Sequence, residues 1–244
     1  MKTWILLSTA VISLAISFGR NFPPDAISTS AATLEIFAEN EFSPRAAEGA
    51  PPGTAPNATL IPSAIRDFDQ QPESVQKFLR AALELAGRNL TYTYGSADPE
   101  KGGMDCSGTI FHLLKGAGLE DVPRSSSGQY VWLRKFDRFR AVLSRKENSF
   151  ELDDLQPGDL LFWSGTYNVD RDPPITHTMI YLGVERKTGK RVMVGASNGR
   201  TYKGERRWGV SVFDFRMTRL RKTDAARALQ PRFVGYASVP GIRD

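Results

Sequence analysis

The chain holds one cysteine, Cys106, and two histidines, His112 and His177, so the search for a nucleophile and its base is short. A single cysteine is more often a small buried hydrophobe than a reactive group. The surroundings of Cys106 point the other way. Asp105 and Ser107 flank it, Gly108 follows, and Thr109-Ile-Phe-His-Leu-Leu-Lys115 has the make-up of a helix that starts there. A thiol at a helix N-terminus feels the partial positive charge of unpaired N–H groups, which favours the thiolate and predicts a lowered pKa. The same N–H groups can hold the oxyanion that forms when a carbonyl is attacked. Gly108 lets a substrate backbone come close. The chemistry such a group offers is acyl transfer through a covalent intermediate.

A thiol nucleophile needs a partner that takes its proton near neutral pH. His112 lies six residues beyond Cys106 on the same helix. That is about 240° round at 100° per residue, so the two side chains diverge. His177 stands in Thr176-His-Thr-Met-Ile-Tyr-Leu-Gly183, which reads as a strand. Its side chain then shares a face with Met179 and Tyr181 and can turn toward a helix packed across the sheet. A cysteine at a helix head opposite a histidine on a central strand is the arrangement of papain-like peptidases. His177 is the expected base.

Other polar groups carry less. Asp153, Asp154 and Asp159 surround a turn and read as caps and turn formers. One cysteine and two scattered histidines fall short of the ligand set zinc prefers. There is no phosphate-cradling glycine loop and no dinucleotide fingerprint. No metal and no cofactor are expected.

The elements that must position these residues follow from periodicity. Val75, Phe78, Leu79, Ala82, Leu83 and Ala86 recur at helical spacing and stop at Gly87, predicting an amphipathic helix from Ser74. A second helix runs from Cys106 to Gly116. Beyond it the chain is β-rich, with strands expected at Leu160–Trp163, Ile175–Gly183, Arg191–Ser197, Val210–Phe215 and Phe233–Val239. Trp132–Phe150 and Thr166–Pro174 read as surface insertions of mixed charge. Helices first and strands afterwards argue for an α+β domain rather than βαβ units.

The order Tyr92-Thr-Tyr94-Gly95, Asp105-Cys-Ser-Gly108, Val122-Pro-Arg124-Ser-Ser126, Pro157-Gly-Asp-Leu-Leu-Phe-Trp163 and His177-Thr-Met-Ile-Tyr181-Leu-Gly183 resembles the NlpC-type cell-wall endopeptidases. The resemblance extends over residues 72–239. It implies a papain-like α+β fold, with N-terminal helices packed on an antiparallel sheet. It also implies cleavage of peptidoglycan stem peptides, at the amide between D-glutamate and a diamino acid. By similarity, Tyr92, Asp105 and Ser107 line a pocket for the peptide's free amine; the other reading of Tyr92 is a core aromatic. Arg124 is either a structural arginine or one that faces substrate. One position departs from the family: the third polar residue, usually a histidine that orients the base, is replaced by Gly195. A water, Ser197 or Asn198 could fill that role, and Asn198 is the leading candidate, since asparagine orients the base in papain-like enzymes. Asn198-Gly199 is also an ordinary turn pair. The departure leaves open a degenerate wall-binding module, and an amidase toxin of the same fold is a further alternative.

The N-terminus reads as an address. Lys2 precedes an apolar run from Trp4 to Phe18. The run is shorter than the ~20 residues of a membrane span. Residues 1–18 are therefore expected to be a signal peptide with small residues at Ala15 and Ser17, an uncleaved anchor being the alternative. Residues 19–66 hold seven of the fifteen prolines, so 19–70 is assigned to a Pro/Ala-rich linker or arm and 71–240 to the peptidase domain. Export to the periplasm, envelope or medium follows. Residues 200–232 carry ten Lys/Arg against three Asp/Glu. Such a basic segment suits anionic wall polymers, or simply makes a solvated rim. No base-reading signature favours nucleic acid.

Overall fold

The computed structural model describes residues 46–217 and 230–243. The expected signal peptide, and the arm as far as residue 45, lie outside the described residues. Among the described residues, three α-helices and a six-stranded antiparallel sheet make the α+β arrangement that the sequence predicts.

Helix α1, Glu73–Gly87, buries Val75, Phe78, Leu79, Ala82, Leu83, Leu85 and Ala86, the stripe that its spacing forecasts. Strand β1 (Thr91–Tyr92) and strand β2 (Gly103–Met104) form a short parallel ladder that delivers the chain to helix α2, Cys106–Gly116. Helix α3, Ser126–Lys135, follows, capped by the Ser125 hydroxyl on the Gly128 N–H. The sheet comprises β3 (Phe139–Ala141), β4 (Leu160–Ser164), β5 (Ile175–Val184), β6 (Arg191–Tyr202), β7 (Glu205–Asp214) and β8 (Arg232–Ala237). Their spatial order is β3-β8-β4-β5-β6-β7.

The two sheet faces are buried differently. Leu160, Phe162, Ile180, Leu182, Val192, Val194, Ala196, Val210 and Val212 pack with the helices in one core. Leu161, Trp163, Met179, Tyr181, Met193 and Phe213 face the other way, onto Val142, Leu152, Phe215, Phe233 and Tyr236. With both faces covered, each fully buried Leu, Ile or Phe contributes about 1.5–3 kcal/mol relative to exposure. This is why the strands read as continuous apolar runs.

Three stretches differ from the sequence expectation. Strands β6 and β7 run past the Asn198-Gly199 pair to a hairpin turn at Lys203-Gly204. The pair does not turn the chain because β6 carries an extra residue there: Asn198 faces Trp208 and Thr201 faces Arg206. The stretch from Trp132 to Phe150 contributes the end of α3, the edge strand β3 and buried Leu133 and Val142. Its charged residues hid a sparse apolar pattern. Residues 55–65, grouped by composition with the arm, lie along the β7 edge. Ala58 accepts from the Val212 N–H and donates to the Ser211 hydroxyl, while Ile65 bridges Glu185. That contact covers backbone groups which an open edge strand would expose.

Candidate active site

Asp105 is the N-cap of α2. Its carboxylate accepts the Gly108 N–H at 2.6 Å, and its own N–H donates to the Ser96 carbonyl at 3.0 Å. The loop at Ser96 rests directly on the helix head. A Cβ at Gly108 would stand 2.1 Å from the Ser96 carbonyl oxygen, so only glycine permits this contact. Cys106 is thereby fixed as the first residue of the helix and is 7% exposed.

The thiol does not have the lowered pKa that the helix head suggests. Burial, and after it the negative charge of Asp105, pushes it up to about 11. Backbone N–H groups of Thr178, Ser107 and Cys106 itself act in the opposite direction and are outweighed. The physical reason is competition: desolvation penalises a thiolate more than three peptide dipoles reward it. The Thr178 N–H nevertheless locates the sulfur, which lies against β5 at the residue that follows His177.

Asp105, Ser107 and Arg124 form one cluster. Arg124 donates Nη1 to Asp105 Oδ1 at 3.1 Å and Nη2 to Asp105 Oδ2 at 2.9 Å, and Nη1 also reaches the Ser107 hydroxyl at 3.0 Å. The Ser107 hydroxyl donates to Asp105 Oδ1 at 3.3 Å, and the Gly95 N–H to Oδ2 at 2.8 Å. Gln129, fully buried on α3, ties the cluster down by donating to the carbonyls of Ser107 and Pro123. Sequence reasoning missed Gln129, whose only signal is a polar residue among the apolar positions of a helix. Tyr92, half-buried on β1, stacks edge-on against Trp208 at 6.2 Å. Burial lifts its hydroxyl above the ordinary tyrosine range, and charge at Cys106 and Asp105 adds to this, placing Tyr92 in the same electrostatic neighbourhood.

His177 is 7% exposed and pairs across the ladder with Trp163, its ring 5.7 Å from the indole. The face it shares with Met179 and Tyr181 is covered by loops, not by α2. The helix head meets β5 at the backbone of Thr178, so the expected packing across the sheet is replaced by a meeting at the strand itself. Arg200 Nε donates to His177 Nε2 at 3.3 Å. Its guanidinium also lies 4.3 Å over the Trp163 ring, and Nη1 reaches the Arg216 carbonyl at 3.5 Å.

The positions weighed as orienters of His177, Ser197 and Asn198, lie on β6 with Gly195. Gly195 has φ +155°, and a Cβ there would meet Met179 Sδ at 2.9 Å. Ser197 is buried, whereas Asn198 is exposed and continues the alternation of Val194 and Ala196 on the helix side. Arg200 escaped sequence reasoning because the extra residue in β6 reverses the alternation between Asn198 and Thr201. His112 lines a groove between α1 and α2 with Lys77, Glu84 and Arg88. Among the described residues, no three of His, Cys, Asp or Glu group as a metal site would require. The basic stretch from 200 to 232 is described only in part, residues 218–229 lying outside.

Residues 89–209 match the NlpC/P60 family. No curated protein matches the chain. Among solved structures, it is similar to a protein described as similar to lipoprotein, NLP/P60 family, from Staphylococcus aureus subsp. aureus Mu50. The two are 25% identical over 59% of this chain and 43% of that one, with a TM-score of 0.37. The chain thus spans less than half of that protein's length.

Proposed function

We propose that the chain, whose residues 89–209 match the NlpC/P60 family, is an exported cysteine peptidase that hydrolyses amide bonds of peptidoglycan stem peptides. Cys106 attacks the carbonyl carbon, His177 takes the thiol proton and passes it to the leaving amine, and water then releases the acyl group from sulfur. Backbone N–H groups at the helix head stabilise the oxyanion while it exists. The D-glutamate–diamino acid bond is the proposed target. Tyr92 and the Asp105–Ser107–Arg124 cluster border the substrate.

The observation that supports this reading best is the seat of the sulfur. It stands at the head of α2, with the N–H of the residue after His177 directed at it. A cysteine that only filled space would need neither the capped helix head nor the strand amide. Incubation of the purified full chain with peptidoglycan, followed by mass spectrometry of the muropeptides, tests both activity and bond. Wild type releases new amines and Cys106→Ala releases none; release by Cys106→Ala at the wild-type rate ends the reading.

A second reading, a wall-binding module that has lost turnover, is favoured by one observation. The Nε2 nitrogen of His177 faces a cation, Arg200. On that reading the wild-type chain sediments with peptidoglycan and yields no new amines.

A further inference from the structure

The contact between Arg200 and His177 has a chemical consequence that deepens the peptidase reading and rests on it where catalysis is concerned. A guanidinium carries five N–H donors, no acceptor, and a charge that it keeps at any ordinary pH. The nitrogen facing Arg200 Nε at 3.3 Å must therefore present a lone pair. A neutral imidazole has one such nitrogen and one N–H. Its proton is then on Nδ1. Charging the ring would set N–H against N–H and two cations side by side, where His177 is 7% and Arg200 9% exposed.

Arg200 is held in this place. Its guanidinium stacks on Trp163 and its Nη1 reaches the Arg216 carbonyl. The extra residue in β6 turns it onto the His177 face. At Gly195, where the family carries its orienting histidine, the backbone φ of +155° strains any side chain and the Met179 sulfur would have to move. Among the described residues, other titratable groups at this corner include Cys106 and Asp105 at the helix head and Tyr92, Tyr94 and Tyr167, which act on Tyr92 together with them.

We propose that Arg200 is the positioning residue of His177, fixing the Nδ1–H tautomer and keeping the resting Cys106–His177 pair as thiol and neutral imidazole. The buried thiol's preference for its proton is in keeping with this. An acceptor at position 200 would instead bind Nε2–H and free the Nδ1 lone pair for the thiol. Arg200 is thus a brake on the dyad: His177 takes the thiol proton only once the Arg200 contact opens and the imidazole proton shifts from Nδ1 to Nε2, which leaves the Nδ1 lone pair to accept it.

Long-range 1H–15N correlation on the full chain labelled at histidine reads the tautomer directly. With two histidines, His112→Gln assigns the spectrum. In wild type near neutral pH, His177 shows a bare Nε2 and a protonated Nδ1. Arg200→Lys, still donor-only, keeps that pattern; Arg200→Gln moves the proton to Nε2. Alkylation of Cys106 by iodoacetamide near pH 7 then accelerates in Arg200→Gln, about tenfold for each unit by which the thiol pKa falls. A wild-type His177 that is Nε2–H or doubly protonated overturns the proposal, whatever the variants do. So does an Arg200→Gln spectrum identical to wild type. The tautomer is read without turnover, so a failure of the peptidase reading, seen as amine release by Cys106→Ala, is a separate result.

Discussion

Asp105→Asn separates two roles that the wild-type carboxylate combines, and moves them in opposite directions. Asp105 accepts from Gly108 N, Gly95 N, the Ser107 hydroxyl and both arms of Arg124. An asparagine can keep its oxygen at the Oδ1 position, where the helix cap and Ser107 are satisfied. Its NH2 group then points at the Gly95 N–H and at Arg124 Nη2. One hydrogen bond to a charged acceptor is worth about 1.5–3 kcal/mol, and the Gly95 N–H left facing a donor adds about 1 kcal/mol, the low end of the cost for a buried donor because Gly95 is exposed. The Arg124 side chain is 37% exposed and recovers part of its loss in water, so its share is small. The sum is about 3 kcal/mol, or a Tm lower by about 6–12 °C for a domain of this size. The same change removes the second cause that raises the Cys106 thiol, while burial, the first, remains. The thiol pKa falls from about 11. Urea unfolding gives the first effect, and iodoacetamide alkylation across alkaline pH gives the second. A variant as stable as wild type, or one whose thiol reacts more slowly at every pH, refutes the reasoning.

Gly108→Ala puts a Cβ within 2.1 Å of the Ser96 carbonyl; the loop must lift, costing about 1–3 kcal/mol, and amine release from peptidoglycan falls more steeply than stability. A melting curve and a release assay on the same preparation check both. Gly195→His, which restores the family's residue, is expected to fail as a rescue. Left-handed strain there costs about 1–3 kcal/mol and the Met179 sulfur must move, so Tm drops without a gain in release; faster release at unchanged Tm would be the contrary result. Glu185, 3% exposed, accepts from Thr188, Tyr202 and Lys203. Burial raises its pKa, but those three bonds together hold it below the ordinary 4.5. Its stabilising contribution is complete above pH 4.5 and is lost as pH falls through the depressed folded value. Glu185→Gln therefore lowers stability at neutral pH and flattens the acid limb of a urea-midpoint profile, whereas a parallel profile would contradict the sign.

What could be read from the sequence is what local rules govern. The apolar stripe of α1, the capped start of α2 at Asp105, and the runs that became β4 and β5 all depend on spacing within one element. The family resemblance grouped Asp105 and Ser107 with Tyr92 and left Arg124 apart, as structural or substrate-facing; the ion pair that joins Arg124 to Asp105 was not legible, because it depends on where the loop after α2 lies. Two features were hidden. The thiol's pKa depends on burial by β5, and a helix head taken alone gives the opposite sign. Arg200 sits five residues beyond Gly195, and strict alternation would put it on the helix side. A single extra residue, legible only when β6 is seen paired with β7, reverses it.

These features make one electrostatic design. The sulfur receives N–H groups from Thr178, Ser107 and its own residue, and Nε2 of His177 receives the Arg200 N–H. The carboxylate that raises the thiol pKa, Asp105, is paired with Arg124. A corner lined with donors favours negative charge once it forms, whether on sulfur or on an attacked carbonyl oxygen. Before attack the sulfur carries none, because burial and Asp105 keep the thiol protonated and Arg200 leaves the imidazole with no lone pair at Nδ1. Charge separation is thereby postponed from the resting protein to the encounter with substrate, and Arg200 and Asp105 are the two residues that set how far.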